Sequence, residues 1–253
     1  MPSWEIPALD EALGGLREHS FVLVHEADPR ARGKEILFHI LREKLKQGHL
    51  VGYFNISYPI HVLMKAFDVS GIDARKYLDK GNLAIIDTFG SFYDIASNIK
   101  GIWYLKGSLS ADVLPAKYVE VVEAHKKRWA EQGMFEGREL YGFTMDVSDY
   151  IDMLGGELET LRYLEISAEL RVNARAYRDY PKGTNFWLWG RKGSPAVMAS
   201  VYRRASYVLR VKSEFNDGNV VRYLEVLKAP EMGNEVIRFR YHFDDRVPVL
   251  ERI

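Results

Sequence analysis

Residues 28–35 are of the types that could hold a phosphate group. Gly33 and Lys34 stand between an apolar run typical of a strand and a stretch with helical spacing, where backbone N–H groups and a lysine can bind phosphates. The pattern that does this is GxxxxGKS or GxxxxGKT, and here the first glycine is Asp28 and the magnesium-binding hydroxyl is Glu35. The segment therefore predicts a vestigial phosphate loop, which keeps its place between strand and helix but has lost residues that bind phosphate and magnesium.

These substitutions oppose nucleotide binding for separate reasons. Pro29 has no N–H to donate, and Asp28 at a positive φ would cost on the order of 1–3 kcal/mol. A carboxylate ~5 Å from a phosphate charge is repelled by roughly 3 kcal/mol at an effective dielectric of ~20. The acids between residues 26 and 35 are balanced by three bases, which are Arg30, Arg32 and Lys34. No cationic surplus remains for a triphosphate, so we expect neither ATP nor magnesium as a cofactor.

Glu35 admits two interpretations. A negative charge is favourable in the first turn of a helix, so Glu35 could occupy the anion site itself, or bond Lys34 or Arg32, as a built-in substitute for phosphate. Alternatively, it is an ordinary first-turn residue on a solvated helix. Sulfate or nucleotide bound at the Gly33 and Lys34 amides would exclude the substitute-anion interpretation.

A second constellation combines tryptophan with basic residues near a predicted strand end. It comprises Trp189, Arg191, Lys192, Arg203 and Arg204. Aromatic rings and cations together can stack on and neutralise single-stranded nucleic acid. The alternative is that the tryptophans alternate along a strand, one of them in the core, and that the charges mark an exposed loop. The balanced charge of the chain, 35 basic and 35 acidic residues, favours this alternative.

The composition narrows the class of protein. The 253 residues are 47% apolar and 28% charged, as in globular proteins with a buried core. Cysteine is absent, which excludes disulfides, thiolate nucleophiles and cysteine metal sites. No apolar run approaches the ~20 residues that span a bilayer, and the N-terminal residues do not resemble a signal peptide, so we expect no membrane contact and a cytoplasmic location. Dense surface charge with only two glutamines suggests a heat-adapted source.

Strands and helices alternate along most of the chain. Strands are predicted at residues 21–25, 50–54, 83–87, 140–146 and 185–189, and helices at 33–46, 59–67, 115–132 and 157–177. Three further strands follow at 206–212, 220–228 and 236–243, with a hairpin turn at 216–219. We therefore expect a single α/β domain over residues 1–253, a three-layer sandwich whose mostly parallel central sheet ends in antiparallel C-terminal strands.

Several large aromatic residues lie where no strand or helix is predicted. They are Trp4, Phe89, Phe92, Tyr93, Trp103 and Tyr104. Such residues either pack beneath an ordered loop or form a groove for a peptide or a second subunit.

Three segments, in this order, resemble the RecA/KaiC family of P-loop ATPases. They are IPALDEALGGL at residues 6–16, the strand, loop and helix at 21–45, and YLEVLKAPEMGNEVIRFRY at 223–241. The chain looks most like an uncharacterised branch of KaiC-like proteins from heat-adapted archaea. The resemblance implies a RecA-like fold that covers nearly the whole chain.

The resemblance also indicates where catalytic acids should stand. In the family, an acid at the end of the second strand activates water, and residues 53–59 contain none. The magnesium-binding acid follows a later apolar strand, where Asp146 is the best match and Asp87 is the other candidate. Either aspartate could instead cap a turn at a strand end.

The sequence thus predicts a non-catalytic member of this family, a pseudo-ATPase that binds a protein or peptide partner or associates with itself. Two alternatives stay open. One is weak ATP binding or slow hydrolysis through Lys34, which phosphate release lost in Lys34→Ala would support. The other is single-stranded nucleic-acid binding through residues 187–204, which salt-dependent retention on single-stranded DNA would support.

Overall fold

The computed structural model describes residues 2–190, 194–233 and 235–253. Ten strands within these ranges form one sheet. They are β1 Phe21–Glu26, β2 Leu50–Asn55, β3 Leu83–Asp87, β4 Ile102–Trp103, β5 Leu140–Met145, β6 Thr184–Trp189, β7 Tyr207–Asn216, β8 Asn219–Lys228, β9 Ile237–Asp244 and β10 Val247–Arg252. Their order across the sheet is β10-β9-β8-β7-β1-β6-β5-β2-β3-β4.

Strand direction divides this sheet into two parts. The strands from β7 to β4 in that order are parallel to one another, and β8, β9 and β10 extend the sheet from β7 in antiparallel fashion. The predicted α/β architecture with antiparallel C-terminal strands is thereby confirmed. Strands β4 and β10 were not predicted. Strand β4 is too short for a pattern, with only two residues, and β10 contains Pro248, a residue that argues against a strand. The predicted hairpin turn is present, with positive φ at both Asp217 and Gly218.

The helices of the described residues lie in the connections between parallel strands, except the first, which precedes β1. They are α1 Pro7–Leu13, α2 Gly33–Lys46, α3 Ile60–Val69, α4 Ala74–Lys80, α5 Thr88–Phe92, α6 Leu114–Glu131, α7 Tyr150–Met153, α8 Glu157–Asn173, α9 Arg175–Arg178 and α10 Pro195–Arg204. The helix predicted at 157–177 is interrupted because Ala174 is extended, with ψ of 144°. Helix α10 was not predicted, although Ser194 caps it and Pro195 opens it, both of which are known start signals.

Successive side chains of the central strands point to opposite faces of the sheet, so each strand contributes to two hydrophobic cores. Val22 and Val24 of β1 pack in the core that contains α1, α2, α3 and α4, whereas Leu23 between them packs in the core that contains α6, α8 and α10. Phe186 and Trp187 of β6 divide in the same way. Helices therefore cover both faces of the central parallel strands, as expected for a sheet buried on both sides.

Trp4 shows how an aromatic residue outside the regular elements stabilises the fold. Its side chain is 0% exposed, its indole Nε1 donates to the carbonyl oxygen of Gly15 at 3.1 Å, and its ring lies 5.0 Å from the ring centre of Tyr207. Tyr93, in contrast, is 59% exposed. The aromatic residues named above therefore do not share one surface, and Trp4 packs beneath its own segment.

Replacing Trp4 with alanine should lower the free energy of unfolding by about 3–5 kcal/mol, because a large buried ring and its hydrogen bond are lost. Guanidinium denaturation monitored by circular dichroism measures the change. Tyr93→Ala is the matched control and should change the free energy by no more than about 0.5 kcal/mol. Equal effects of the two substitutions would contradict the packing described for Trp4.

Candidate functional site

Strand β1 and helix α2 bring an acid beneath the vestigial phosphate loop. The backbone N–H groups of Gly33 and Lys34, in the first turn of α2, both donate to Oε2 of Glu26 at the end of β1, the second at 3.2 Å. N–H groups in this position hold phosphate in a working loop. The chain therefore fills the anion position of the loop with its own carboxylate.

Glu35 does not reach this position. Its Oε1 accepts a hydrogen bond from Nε of Arg32 at 3.3 Å on the surface of the turn. Of the possibilities left open for Glu35, the structure has the bond to Arg32, and the loop amides are bonded by another acid. The physical reason is that the end of β1 lies directly below the free N–H groups of the turn. A sequence signal for Glu26 existed, because it is an acid at the end of a buried strand beside the loop.

Asp28 anchors the loop and is not strained. Its φ is −154°, and the positive φ of the loop falls at Arg32, at 57°. The Asp28 carboxylate accepts from the N–H of Arg30 at 3.1 Å, and from the N–H and hydroxyl of Ser213 in β7 at 2.7 Å each. Partial burial raises the pKa of Asp28, but these hydrogen bonds to its ionised form outweigh burial and lower the pKa below its usual value. Asp28 is thus free of the strain that a positive φ would cause, and its hydrogen bonds connect the loop to β7.

Both arginines of the loop lie on aromatic rings of those strands. The Arg30 guanidinium is 4.6 Å from the ring centre of Phe215 in β7. The Arg32 guanidinium is 4.3 Å from the ring centre of Phe243 in β9. Such contacts stabilise by roughly 0.5–2 kcal/mol and direct the guanidinium planes toward the sheet. Both guanidinium groups are therefore engaged with aromatic rings of the chain itself.

Lys34 is also engaged within the chain. Its Nζ donates to the hydroxyl of Tyr58 at 3.2 Å. In a working loop this ammonium reaches the β and γ phosphates. Here it is held beside the segment that follows β2.

Two carboxyl groups with raised pKa values lie at this end of the sheet. Burial raises the pKa of Glu26 to about 7, despite the two amide donors, and burial raises the pKa of Asp146 to about 6. Both lie beside Gly190, where an added Cβ would be 2.5 Å from Oδ2 of Asp146 and 4.0 Å from Oε1 of Glu26. A triphosphate in this place would approach both carboxyl groups, which would repel it once ionised.

The two candidate magnesium ligands cap turns. Oδ1 of Asp146 accepts from the N–H and hydroxyl of Ser148 at 2.9 Å each, and its Oδ2 accepts from the N–H of Gly190 at 2.9 Å. Oδ1 of Asp87 accepts from the N–H of Gly90 at 3.0 Å and from a side-chain amide of β2 at 2.8 Å. Both aspartates therefore have the geometry of strand-end caps.

The predicted nucleic-acid contacts after β6 are dispersed. Trp189 is 1% exposed and packs in the core beneath α10, so its ring has no free face for a base, which corrects its predicted role. Arg204 forms an ion pair with a glutamate of α8 at 2.5 Å, while Arg203 is exposed at the end of α10. Arg191 and Lys192 lie outside the described residues.

Within the described ranges, no group of three or more histidines, aspartates or glutamates is arranged to hold a metal ion. No helix of these ranges is long and apolar enough to cross a membrane.

The chain is similar to two solved structures from Pyrococcus horikoshii. One is the uncharacterized protein PH0321 in complex with an unknown peptide, which is 47% identical, with 100% of each chain covered and a TM-score of 0.95. The other is the KaiC-like protein PH0186, which is 15% identical, with 98% of this chain and 97% of that chain covered and a TM-score of 0.71. The second similarity confirms the RecA/KaiC-like fold. No protein-family model matches the chain, and no curated protein matches it.

The raised pKa of Glu26 predicts a particular pH dependence of stability. Between about pH 4.5 and pH 7 the folded protein holds a proton on Glu26 that the unfolded chain has released, so the contribution of this group falls as pH rises. Glu26→Gln keeps an acceptor for the two amides and removes the charge. We therefore expect the variant to unfold at a higher temperature than the parent at pH 8, and at a similar temperature at pH 5.

Scanning calorimetry across this pH range measures the difference between the two proteins. Glu35→Gln is the matched control: it removes only an exposed pair with Arg32 and should shift the unfolding temperature little and without a marked pH dependence. A Glu26→Gln protein that is less stable at pH 8 would show that the amides of α2 require an ionised carboxylate.

Proposed function

Since this chain belongs to the same family as the protein PH0321 of Pyrococcus horikoshii, we propose that it is a non-catalytic, KaiC-like protein that binds peptides. The observation that carries the proposal is the unknown peptide in complex with that relative. The similarity extends over both chains in full. It supports the proposal because most peptide-binding and protein-binding surfaces change little in backbone on binding, so a shared backbone offers a shared surface.

The vestigial loop supports the non-catalytic part of the proposal. The amides that a phosphate would use already bond Glu26, and the Nζ of Lys34 bonds Tyr58. A nucleotide would have to displace both contacts and approach Asp146 as well. The degenerate loop acts instead as a structural connection between β1, α2 and the C-terminal strands.

Each alternative function meets an obstacle in the structure. Slow ATP hydrolysis would use the loop amides, which already bond Glu26, and a Lys34 ammonium that would have to turn from Tyr58 with its remaining donors. Nucleic-acid stacking would use Trp189, which is buried. A peptide needs neither a cationic loop nor an activated water. The continuous sheet further supports treating residues 1–253 as one binding domain.

Peptide binding is tested with an array of short synthetic peptides, followed by fluorescence anisotropy of those that bind. We expect a subset to bind in solution more tightly than their scrambled versions. At ~100 times its dissociation constant, such a peptide stabilises the folded state by about 2.7 kcal/mol, which scanning calorimetry detects. Millimolar Mg-ATP should leave the unfolding temperature unchanged.

Three outcomes of this experiment are decisive. If no peptide binds better than its scrambled version, peptide binding is excluded as the function. If Mg-ATP raises the unfolding temperature and Lys34→Ala removes that effect, the chain is a nucleotide-binding protein and the loop still works. Light scattering of the same samples reports self-association, and a peptide-bound monomer would exclude a second copy of the chain as a required partner.

A further inference from the structure

The face of the sheet that packs against α6, α8 and α9 contains a cavity of about 260 Å³. Its floor includes Gly52 of β2 and Gly142 of β5, which pair in register, and Asn185 of β6, which pairs with Gly142. A Cβ added at Gly52 would meet no atom within 4 Å. Gly52 thus leaves the sheet bare at a place where protein interiors are otherwise closely packed, whereas the side chain of Asn185 covers Gly142, where an added Cβ would clash with Oδ1 of Asn185.

The walls of this cavity are largely apolar and aromatic. They include Phe21 and Phe54 from the sheet, Val122 from α6 and Tyr177 from α9. Surfaces of this kind, with a few polar groups among them, are typical of sites for small ligands.

The charges around the cavity are of one sign. Lys126 of α6, Arg171 of α8 and Lys182 before β6 line it, and none of the lining residues is acidic. No salt bridge joins any of these three cations to another described residue, although other basic side chains of the protein are paired, including Lys44 and Arg210. A pocket with uncompensated positive charge attracts an anion.

Lys126 is the buried member of this group, at 3% exposure. Its Nζ donates to the carbonyl oxygens of Ala176 and Pro181 at 2.9 Å each. An ammonium group has three donors, so one remains for a ligand. Burial lowers the pKa of Lys126 to about 8, and a neighbouring anion would favour its charged form.

His125 of α6 lies at the side of the cavity and is 5% exposed. The rings of Trp103 and Trp129 hold its imidazole at 6.1 and 4.8 Å between ring centres. The imidazole also interacts with the backbone of Val121 one turn earlier in the same helix, and burial lowers the pKa of His125 to about 3. His125 is therefore a neutral part of the wall, and the positive charge of the cavity comes from the lysines and the arginine.

We propose that this cavity binds the C-terminal residue of a peptide, with the terminal carboxylate at Lys126 and Arg171 and an apolar side chain over Gly52. The inference rests on the proposed function and names the part of the peptide that is recognised. The volume suits one residue, since pockets for drug-sized ligands measure about 300–1,000 Å³. A free small carboxylic acid has the same chemistry, so the experiment must separate these two sources.

Isothermal titration calorimetry with two pairs of probes tests the assignment. The pairs are N-acetyl-L-phenylalanine and its amide, and the peptide Ala-Ala-Ala-Phe with a free and an amidated C-terminus. We expect each free acid to bind about tenfold more tightly than its amide, because the amide forfeits a charge-assisted hydrogen bond. A peptide source predicts that the free peptide also binds more tightly than the single residue.

The affinity for the free acids should fall as pH rises through about 8, because Lys126 then loses its charge. The other titratable side chains at the cavity are His19, His125, Arg171, Tyr177 and Lys182, whereas the side chain of Tyr141 packs in the core on the opposite face of the sheet. Affinity that is unchanged between pH 7 and pH 9 would exclude Lys126 as the carboxylate partner.

Gly52→Val fills the floor of the cavity without altering its charge. Because an added Cβ meets nothing there and valine favours strands, the variant should unfold at the same or a higher temperature than the parent. Its affinity for the free acids should fall at least about tenfold. Gly233→Val is the matched control, since an added Cβ at this glycine outside the cavity also meets nothing within 4 Å, and it should bind as the parent does.

The outcomes separate this assignment from the proposed function. Free acids that bind no better than amides, or a folded Gly52→Val protein that binds normally, overturn the cavity assignment. If array peptides bind but are insensitive to amidation and to Gly52→Val, the proposed function stands and the cavity assignment falls. If only N-acetyl-L-phenylalanine binds, and Gly52→Val weakens it, the cavity is a site for free acids and the peptide source is wrong.

Discussion

The hydrogen bonds from the first turn of α2 to the carboxylate of Glu26 determine the character of the former phosphate loop. A helix N-terminus presents N–H groups that have no partner within the helix, and these groups need an acceptor. In a phosphate-binding protein the acceptor is the ligand, and the loop stays open to admit it. Here the acceptor is a side chain of the preceding strand, so the loop is complete without a ligand and is free to pack against the rest of the molecule.

The antiparallel C-terminal strands are what the loop packs against. Ser213 and Phe215 of β7 and Tyr241 and Phe243 of β9 contact it through hydrogen bonds and ring contacts. Gly33 also has a packing reason to be glycine, because a Cβ there would lie 2.8 Å from Cγ2 of Val211. The sequence pattern explains Gly33 by phosphate binding, but close packing against β7 also leaves no room for a side chain at this position.

The predictable parts of the structure are those determined by local patterns. Strand β1 and helix α2 follow from apolar runs and helical spacing, and the place of the loop follows from Gly33 and Lys34 between them. The acid that bonds the loop amides was harder to predict, because Asp28 and Glu35 lie as near to the loop in sequence, and the position of Glu26 at the end of β1 becomes decisive only once the path of the chain is known. The burial of Trp189 depends on helices covering both faces of its strand, including α10, which was missed. Gly52 and Gly142 are far apart in the sequence, and only strand register brings them together.

The two edges of the sheet have a consequence for the behaviour of the protein at high concentration. Ile253 N donates to Arg238 O at 3.0 Å, so the alternation of an antiparallel ladder turns the polar groups of Pro248 and Leu250 outward from β10. Proline has no N–H, which interrupts that outward row, and the opposite edge strand β4 is only two residues long. Neither of these edge strands offers an unbroken template for a neighbouring strand. An open sheet of this width is thereby protected against edge-to-edge polymerisation.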